Sequence, residues 1–136
     1  MIKGVSHITL AIRNLERSIH FYVDTIGFTL LMRSDRTAYF LAGDLWFCVV
    51  ADPDLSSQAR SDYTHIAFAI EQEDFPLMEA RIRSAEVHIF KTNESEGDSL
   101  YFLDPDGHKL EIHCGTLETR LEAIQKNPRG NAKVFR

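Results

Sequence analysis

The sequence is poor in the features that mark secreted, membrane or nucleic-acid-binding chains. Of its 136 residues two are cysteine, and Cys48 and Cys114 stand far apart. With no CxxC pair and no secreted-type framework of cysteines, they read as buried free thiols in a reducing compartment. No apolar run approaches the roughly 20 residues that cross a bilayer. The N-terminal stretch MIKGVSHITLAIRNLERS holds too short an apolar segment for a signal peptide. The expectation is a cytoplasmic protein with no membrane partner. An excess of basic charge is missing too: 15 Lys+Arg stand against 20 Asp+Glu, a net charge of −5. The basic residues are scattered, which argues against nucleic acid as a partner. What remains, 44% hydrophobic and 26% charged residues, is the mixture of a globular chain, and the length suits one domain over 1–136.

Within that domain a unit recurs. Ser6-His7-Ile8-Thr9-Leu10-Ala11-Ile12 matches Thr64-His65-Ile66-Ala67-Phe68-Ala69-Ile70, and Tyr39-Phe40-Leu41 matches Tyr101-Phe102-Leu103. Both opening strings alternate as half-buried strands do, with Ile8, Leu10 and Ile12 on one face and His7, Thr9 and Ala11 on the other. Each is followed by a helical pattern. Asn14 is placed to cap a helix from Leu15 to about Ile26 that ends at Gly27, with Leu15, Ile19, Tyr22 and Ile26 as its apolar stripe. Asp74 is placed to cap Phe75 to about Ala85, with Met78, Ile82 and Ala85 turned inward and Pro76 in the first turn. Strands are expected near Thr29–Arg33, Ala38–Leu41 and Leu45–Val50, then near His88–Lys91, Ser99–Leu103 and Lys109–His113. Turns at Ala42-Gly43-Asp44 and Asp104-Pro105-Asp106-Gly107 join the hairpins. The chain is α+β: two βαβββ units, about 4–50 and 62–113, paired into a cup-shaped mixed sheet. Thr116 starts a last helix, about 116–127, with Leu117, Leu121 and Ile124 as its stripe.

Three residues off the aliphatic faces carry metal chemistry. His7 and His65 open equivalent strands, and Glu111 lies between Leu110 and Ile112, so it points away from their side. A histidine on a strand is ordinarily a hydrogen-bonded polar residue, as His20, His88, His108 and His113 are read here. Two histidines at matching points of a repeat, joined by a strand carboxylate, instead suggest a two-His, one-carboxylate set. Such a set leaves coordination positions open on Mn²⁺, Fe²⁺, Ni²⁺ or Zn²⁺. The polar loop Lys91-Thr92-Asn93-Glu94-Ser95-Glu96-Gly97-Asp98-Ser99 has the oxygens to hold a cation or the backbone to cradle an anion, although most such loops are solvated turns. Lys91, Tyr101 and Arg120 are donors suited to phosphate or phosphonate. Tyr39 and Trp46 either line the pocket or fill core.

His7-Ile8-Thr9, Tyr63-Thr64-His65, the Lys91–Ser99 loop running into Tyr101-Phe102, and Asp104-Pro105-Asp106-Gly107-His108 through Glu111 resemble the vicinal oxygen chelate superfamily. Within it they are most similar to the FosA-type fosfomycin-resistance glutathione transferases, over about Ile2 to Arg120. The string Ser95-Glu96-Gly97-Asp98-Ser99 is the most specific mark. The resemblance implies a domain-swapped homodimer whose Mn²⁺ is held by His7 of one subunit with His65 and Glu111 of the other. It implies K⁺ as an activator at Asn93, Ser95, Glu96, Gly97 and Ser99. Fosfomycin would be bound by Lys91, Ser95, Tyr101 and Arg120, with Thr9 beside the oxirane, Trp46 and Tyr63 shaping the cavity, and Tyr39 on the glutathione side. Thr9 and Tyr39 are then the candidate catalytic residues, and the reaction joins the thiol of glutathione to C1 of the epoxide. Glu94 departs from the basic residue usual at its place and makes the rim more acidic.

Other chemistries on the same scaffold need parts that are scarce here. An epoxide hydrolase needs a carboxylate base, and the candidate, Asp44, falls in a hairpin turn. A glyoxalase needs a fourth ligand in the first unit, where the chain reads Phe47-Cys48-Val49. An extradiol dioxygenase usually needs a further acid–base histidine and a longer chain. A drug-sequestering module of this fold would lack the metal ligands.

Overall fold

The computed structural model describes residues 1–58 and 60–135. The first unit runs β1 (His7–Ile12), α1 (Leu15–Ile19), β2 (Thr29–Arg33), β3 (Thr37–Ala42) and β4 (Leu45–Ala51). The second runs β5 (Ile66–Ala69), α2 (Phe75–Ser84), β6 (Ile89–Lys91), β7 (Ser99–Leu103) and β8 (Lys109–His113), and α3 (Leu117–Lys126) closes the chain. Each unit makes a four-stranded sheet of one topology, β1-β4-β3-β2 and β5-β8-β7-β6. In both, the first strand is parallel to the last and the other pairings are antiparallel. The outer hairpin of each sheet is irregular at matching places, between Leu30 and Met32 and between Ile89 and Lys91. The repeat legible in the sequence is therefore a repeat of sheet topology, and the α+β class of two βαβββ units is borne out.

The apolar faces of both sheets and of the first two helical segments share one core. Ile12, Phe40 and Phe47 of the first unit and Ile82, Phe102 and Leu110 of the second are fully buried in the same cluster. Around Tyr22 the aromatic rings of Phe21, Phe28, Phe40 and Phe47 lie with centroids 4.9–5.7 Å away. The strand alternation holds: Ile8, Leu10, Ile66 and Phe68 pack on this cluster, while His7, Thr9, His65 and Ala67 are exposed on the opposite side. Cys48 and Cys114 are buried free thiols, and burial pushes the Cys114 thiol up, with Asp98 and Glu71 adding to the shift.

Local expectations fail at four places. The helix begun at Leu15 keeps its cap, since Asn14 accepts the Arg17 amide at 2.9 Å, but from His20 to Thr25 it widens into a π-helix. Within this segment both Phe21 and Tyr22 are buried, so Phe21 joins the core beside the expected Tyr22. Gly27 then ends the segment at φ +84°, a left-handed position. Asp74 precedes α2, yet its side chain makes no cap hydrogen bond because its backbone is already helical. Ala85 lies beyond the last turn of α2 and is exposed. In α3 the Thr116–Thr119 capping box forms, but Leu117 is exposed while Leu121 and Ile124 are half-buried. Among the described residues no helix is long and apolar enough to cross a membrane.

Candidate metal centre and its surroundings

β8 lifts Glu111 between Leu110 and Ile112, whose side chains enter the core. Strand alternation turns Glu111 to the other face, yet it is only 4% exposed. A buried carboxylate is costly without compensating charge or hydrogen bonds. Among the described residues its ion-pair partners are imidazoles alone, His65 Nε2 at 3.3 Å from Oε1 and His113 Nδ1 at 3.6 Å from Oε2. Ser99 Oγ donates to Oε2 at 2.6 Å. Among the described residues no lysine or arginine stands at ion-pair distance of it.

One ring nitrogen of each candidate histidine meets a hydroxyl. His65 Nδ1 is 3.1 Å from the Tyr63 hydroxyl, which leaves Nε2 toward Glu111. His7 Nδ1 is 3.0 Å from Ser6 Oγ, and its ring stacks on Trp46 at 4.3 Å. A hydroxyl on one ring nitrogen fixes the other for a metal. Two such imidazoles and one buried carboxylate fit a divalent ion of the Mn²⁺ to Zn²⁺ class. The chain brings together His65 and Glu111 but leaves His7 elsewhere: among the described residues no three His, Cys, Asp or Glu stand close enough to hold a metal.

The register explains the missing fourth ligand. Across the first sheet Thr9, Cys48 and Tyr39 form one row, and across the second Ala67, Glu111 and Tyr101 form the equivalent row. Cys48 therefore stands where the second unit has Glu111, and it is buried. Thr9 also lines a cavity of about 340 Å³ with Thr64 and Lys109. Tyr39 packs edge-on to Trp46 at 5.2 Å, and the Trp46 Nε1–H is buried without an acceptor among the described residues.

Of the donors expected to meet an anion, Lys91 and Tyr101 stand beside Glu111, and Arg120 is held at the polar loop. Lys91 Nζ lies 4.9 Å from the Tyr63 ring centroid and 4.8 Å from that of Tyr101, which pairs with Glu111 in the sheet. The Tyr63 hydroxyl, 3.3 Å from Nζ, is the main reason the Lys91 ammonium is held above its usual value. Arg120 reaches from α3 to the loop, donating to Ser95 Oγ and to the Glu96 carbonyl at 3.2 Å each, with its Nε 3.3 Å from the Glu96 carboxylate. Asn93 folds the loop on itself: its Oδ1 accepts from the Ser95 amide and hydroxyl, and its Nδ2 donates to the Gly97 carbonyl. Asn93, Ser95, Glu96 and Gly97 thus form one oxygen-rich turn. Ser99, assigned to the same set, has its hydroxyl committed to Glu111 and His113. Sequence reasoning left His113 as an ordinary polar residue. The available signal was its parity with Glu111 on β8 and its place opposite Ser99 in the hairpin.

The chain belongs to the Glyoxalase/Bleomycin resistance protein/Dioxygenase superfamily, whose family model matches residues 4–112. It is 45% identical over 130 residues to the glutathione transferase FosA of Serratia marcescens, covering 94% of this chain and 92% of that protein. It is 40% identical over 125 residues to a metallothiol transferase FosB of Staphylococcus haemolyticus, covering 89% and 90%. A variant of the fosfomycin resistance protein FosX of Listeria monocytogenes superposes with a TM-score of 0.79 at 33% identity, over 89% of this chain and 99% of that one. That structure holds Mn(II) and 1S,2S-dihydroxypropylphosphonic acid. Within the superfamily the chain falls among the fosfomycin resistance proteins.

Proposed function

We propose that the chain is a cytoplasmic, Mn²⁺-dependent transferase that joins the thiol of glutathione to C1 of fosfomycin, working as a homodimer activated by K⁺. The observation that carries this reading is Glu111, buried at 4% exposure with imidazoles as its ion-pair partners. A carboxylate so placed is matched by a metal cation. His65 and Glu111 of one subunit and His7 of the other would hold the ion, since one chain does not bring all three together. Bound there, Mn²⁺ supplies Lewis acidity to the epoxide oxygen as the ring opens.

The chain's own residues do the rest. Lys91, held upright between Tyr63 and Tyr101, and Arg120 offset the phosphonate charge that would repel a thiolate. Ser95 and Tyr101 complete the anion's surroundings. Thr9 lies beside the oxirane, Trp46 and Tyr63 close the cavity, and Tyr39 flanks the incoming thiol. The turn of Asn93, Ser95, Glu96 and Gly97, with Ser99 behind it, is the seat for K⁺. In the reaction the sulfur–C1 bond forms as the C1–oxygen bond breaks, and the thiol proton ends on the ring oxygen as a hydroxyl. Similarity to the FosA glutathione transferase supports glutathione as the donor, and the FosX structure with Mn(II) and a phosphonate supports the metal and substrate class.

Mass spectrometry of fosfomycin incubated with the protein, Mn²⁺ and a panel of thiols tests the reading. A glutathione adduct that requires both metal and thiol is expected. Addition of one water, formed equally without thiol, would replace the transferase by a hydrolase, and an adduct with another thiol alone would change the donor.

A further inference from the structure

We propose that Ser99 and His113 form a hydrogen-bond brace that fixes the Glu111 carboxylate for metal binding, and that Gly97 and Gly115 leave the room the brace needs. The inference rests on the metal site proposed above. It begins with a count of hydrogens. Ser99 Oγ is 2.6 Å from Glu111 Oε2 and 2.7 Å from His113 Nδ1. A serine has one O–H, and it is directed to the carboxylate oxygen, which only accepts. His113 Nδ1 must then carry a hydrogen and donate to Ser99 Oγ. His113 Nδ1 lies 3.6 Å from Glu111 Oε2, too far for a direct hydrogen bond, so the serine is the link.

Backbone register makes this bridge. Ser99 and His113 are direct partners across β7 and β8, and Glu111, two residues before His113, shares its face. The two carboxylate oxygens are thereby divided: Oε2 is braced by Ser99, and Oε1 faces His65 Nε2. The terminal torsion of a glutamate is otherwise soft. The imidazole of His113 in turn sits between two glycines. A Cβ at Gly97 would lie 3.0 Å from His113 Cε1 and 2.2 Å from the Cys114 carbonyl oxygen. A Cβ at Gly115 would lie 3.1 Å from His113 Nε2. Gly97 belongs to the loop assigned to K⁺, so the brace also joins that loop to the divalent-metal ligand. His113 and Ser99 are positioning residues, acting through Glu111.

Titration of the purified protein with Mn²⁺, followed by the electron paramagnetic resonance of the free ion, reads the brace without turnover. Ser99→Ala and His113→Ala should each weaken Mn²⁺ by about 10–100-fold, the usual effect of losing a group that orients a metal ligand. The double variant should be no weaker than either alone, because both remove one bridge. Ser99→Thr keeps a hydroxyl and His113→Asn keeps an N–H donor at the Nδ1 position, so both should recover tight binding. Circular dichroism establishes that each variant is folded. Folded alanine variants that bind Mn²⁺ as tightly as the unaltered chain would overturn the brace, as would failure of both conservative variants to restore binding. If the unaltered chain takes up no Mn²⁺, the proposed function itself falls and the brace falls with it.

Discussion

Tyr22→Phe removes one oxygen from the middle of the core and tests what the buried Tyr22–Asp104 pair contributes. The Tyr22 hydroxyl donates to Asp104 Oδ2 at 2.7 Å, and both groups are buried. Asp104 Oδ1 accepts the amides of Asp106 and His108 at 2.9 Å each, which holds the turn between β7 and β8. Phenylalanine keeps the ring cluster around position 22 but leaves Oδ2 without its partner. Losing a hydrogen bond to a buried charged group costs about 1.5–3 kcal/mol. At a urea m value of roughly 1.5 kcal/mol/M, the unfolding midpoint should fall by about 1–2 M.

The pH dependence of that loss has a definite sign. Burial raises the Asp104 carboxyl above its usual value, while His108, the Tyr22 hydroxyl and the two amides pull it down. The folded state therefore keeps the proton where the unfolded chain has already lost it, and the stability this group contributes declines as pH rises through that interval. Phenylalanine removes one downward pull and raises the group further. The destabilisation should be largest near neutral pH and shrink as the protein is acidified toward about pH 4, the range of free carboxylates. Urea unfolding across that range at fixed protein concentration provides the measurement. A loss below about 0.5 kcal/mol at neutral pH, or one that grows on acidification, would refute the reasoning.

Glu111→Gln keeps the shape of the side chain and removes its charge, so Mn²⁺-dependent turnover should vanish; activity with a normal Mn²⁺ response would take Glu111 out of the ligand set. His7→Ala and Glu111→Gln subunits, each inactive, should complement when mixed and allowed to exchange. Half the dimers are then mixed and each has one intact site of two, so about a quarter of the activity should return if the site is shared. No recovery on mixing would place all three ligands in one chain. K⁺ should raise the rate, and Ser95→Ala, which loses the hydroxyl between Asn93 and Arg120, should blunt that response. An unaltered K⁺ titration in this variant would remove the loop from the cation site.

Period-two alternation is local, so the side of each strand on which His7, Thr9, His65 and Glu111 lie was readable from their neighbours. The doubled unit was readable for the same reason: matched strings fold into matched strands, and both sheets have the same strand order. Gly27 and Gly107 occupy left-handed positions at the helix end and in the hairpin turn where the sequence put such breaks. Proximity was not readable, because it depends on register and on packing between distant segments. Only the pairing of Ser99 with His113 across β7 and β8 places an imidazole behind Glu111. Packing also admits both Phe21 and Tyr22 to the core, and leaves Leu117 in water. Composition and periodicity decide which groups a chain offers and on which face, whereas distances among them arise when separate strands align and share one core.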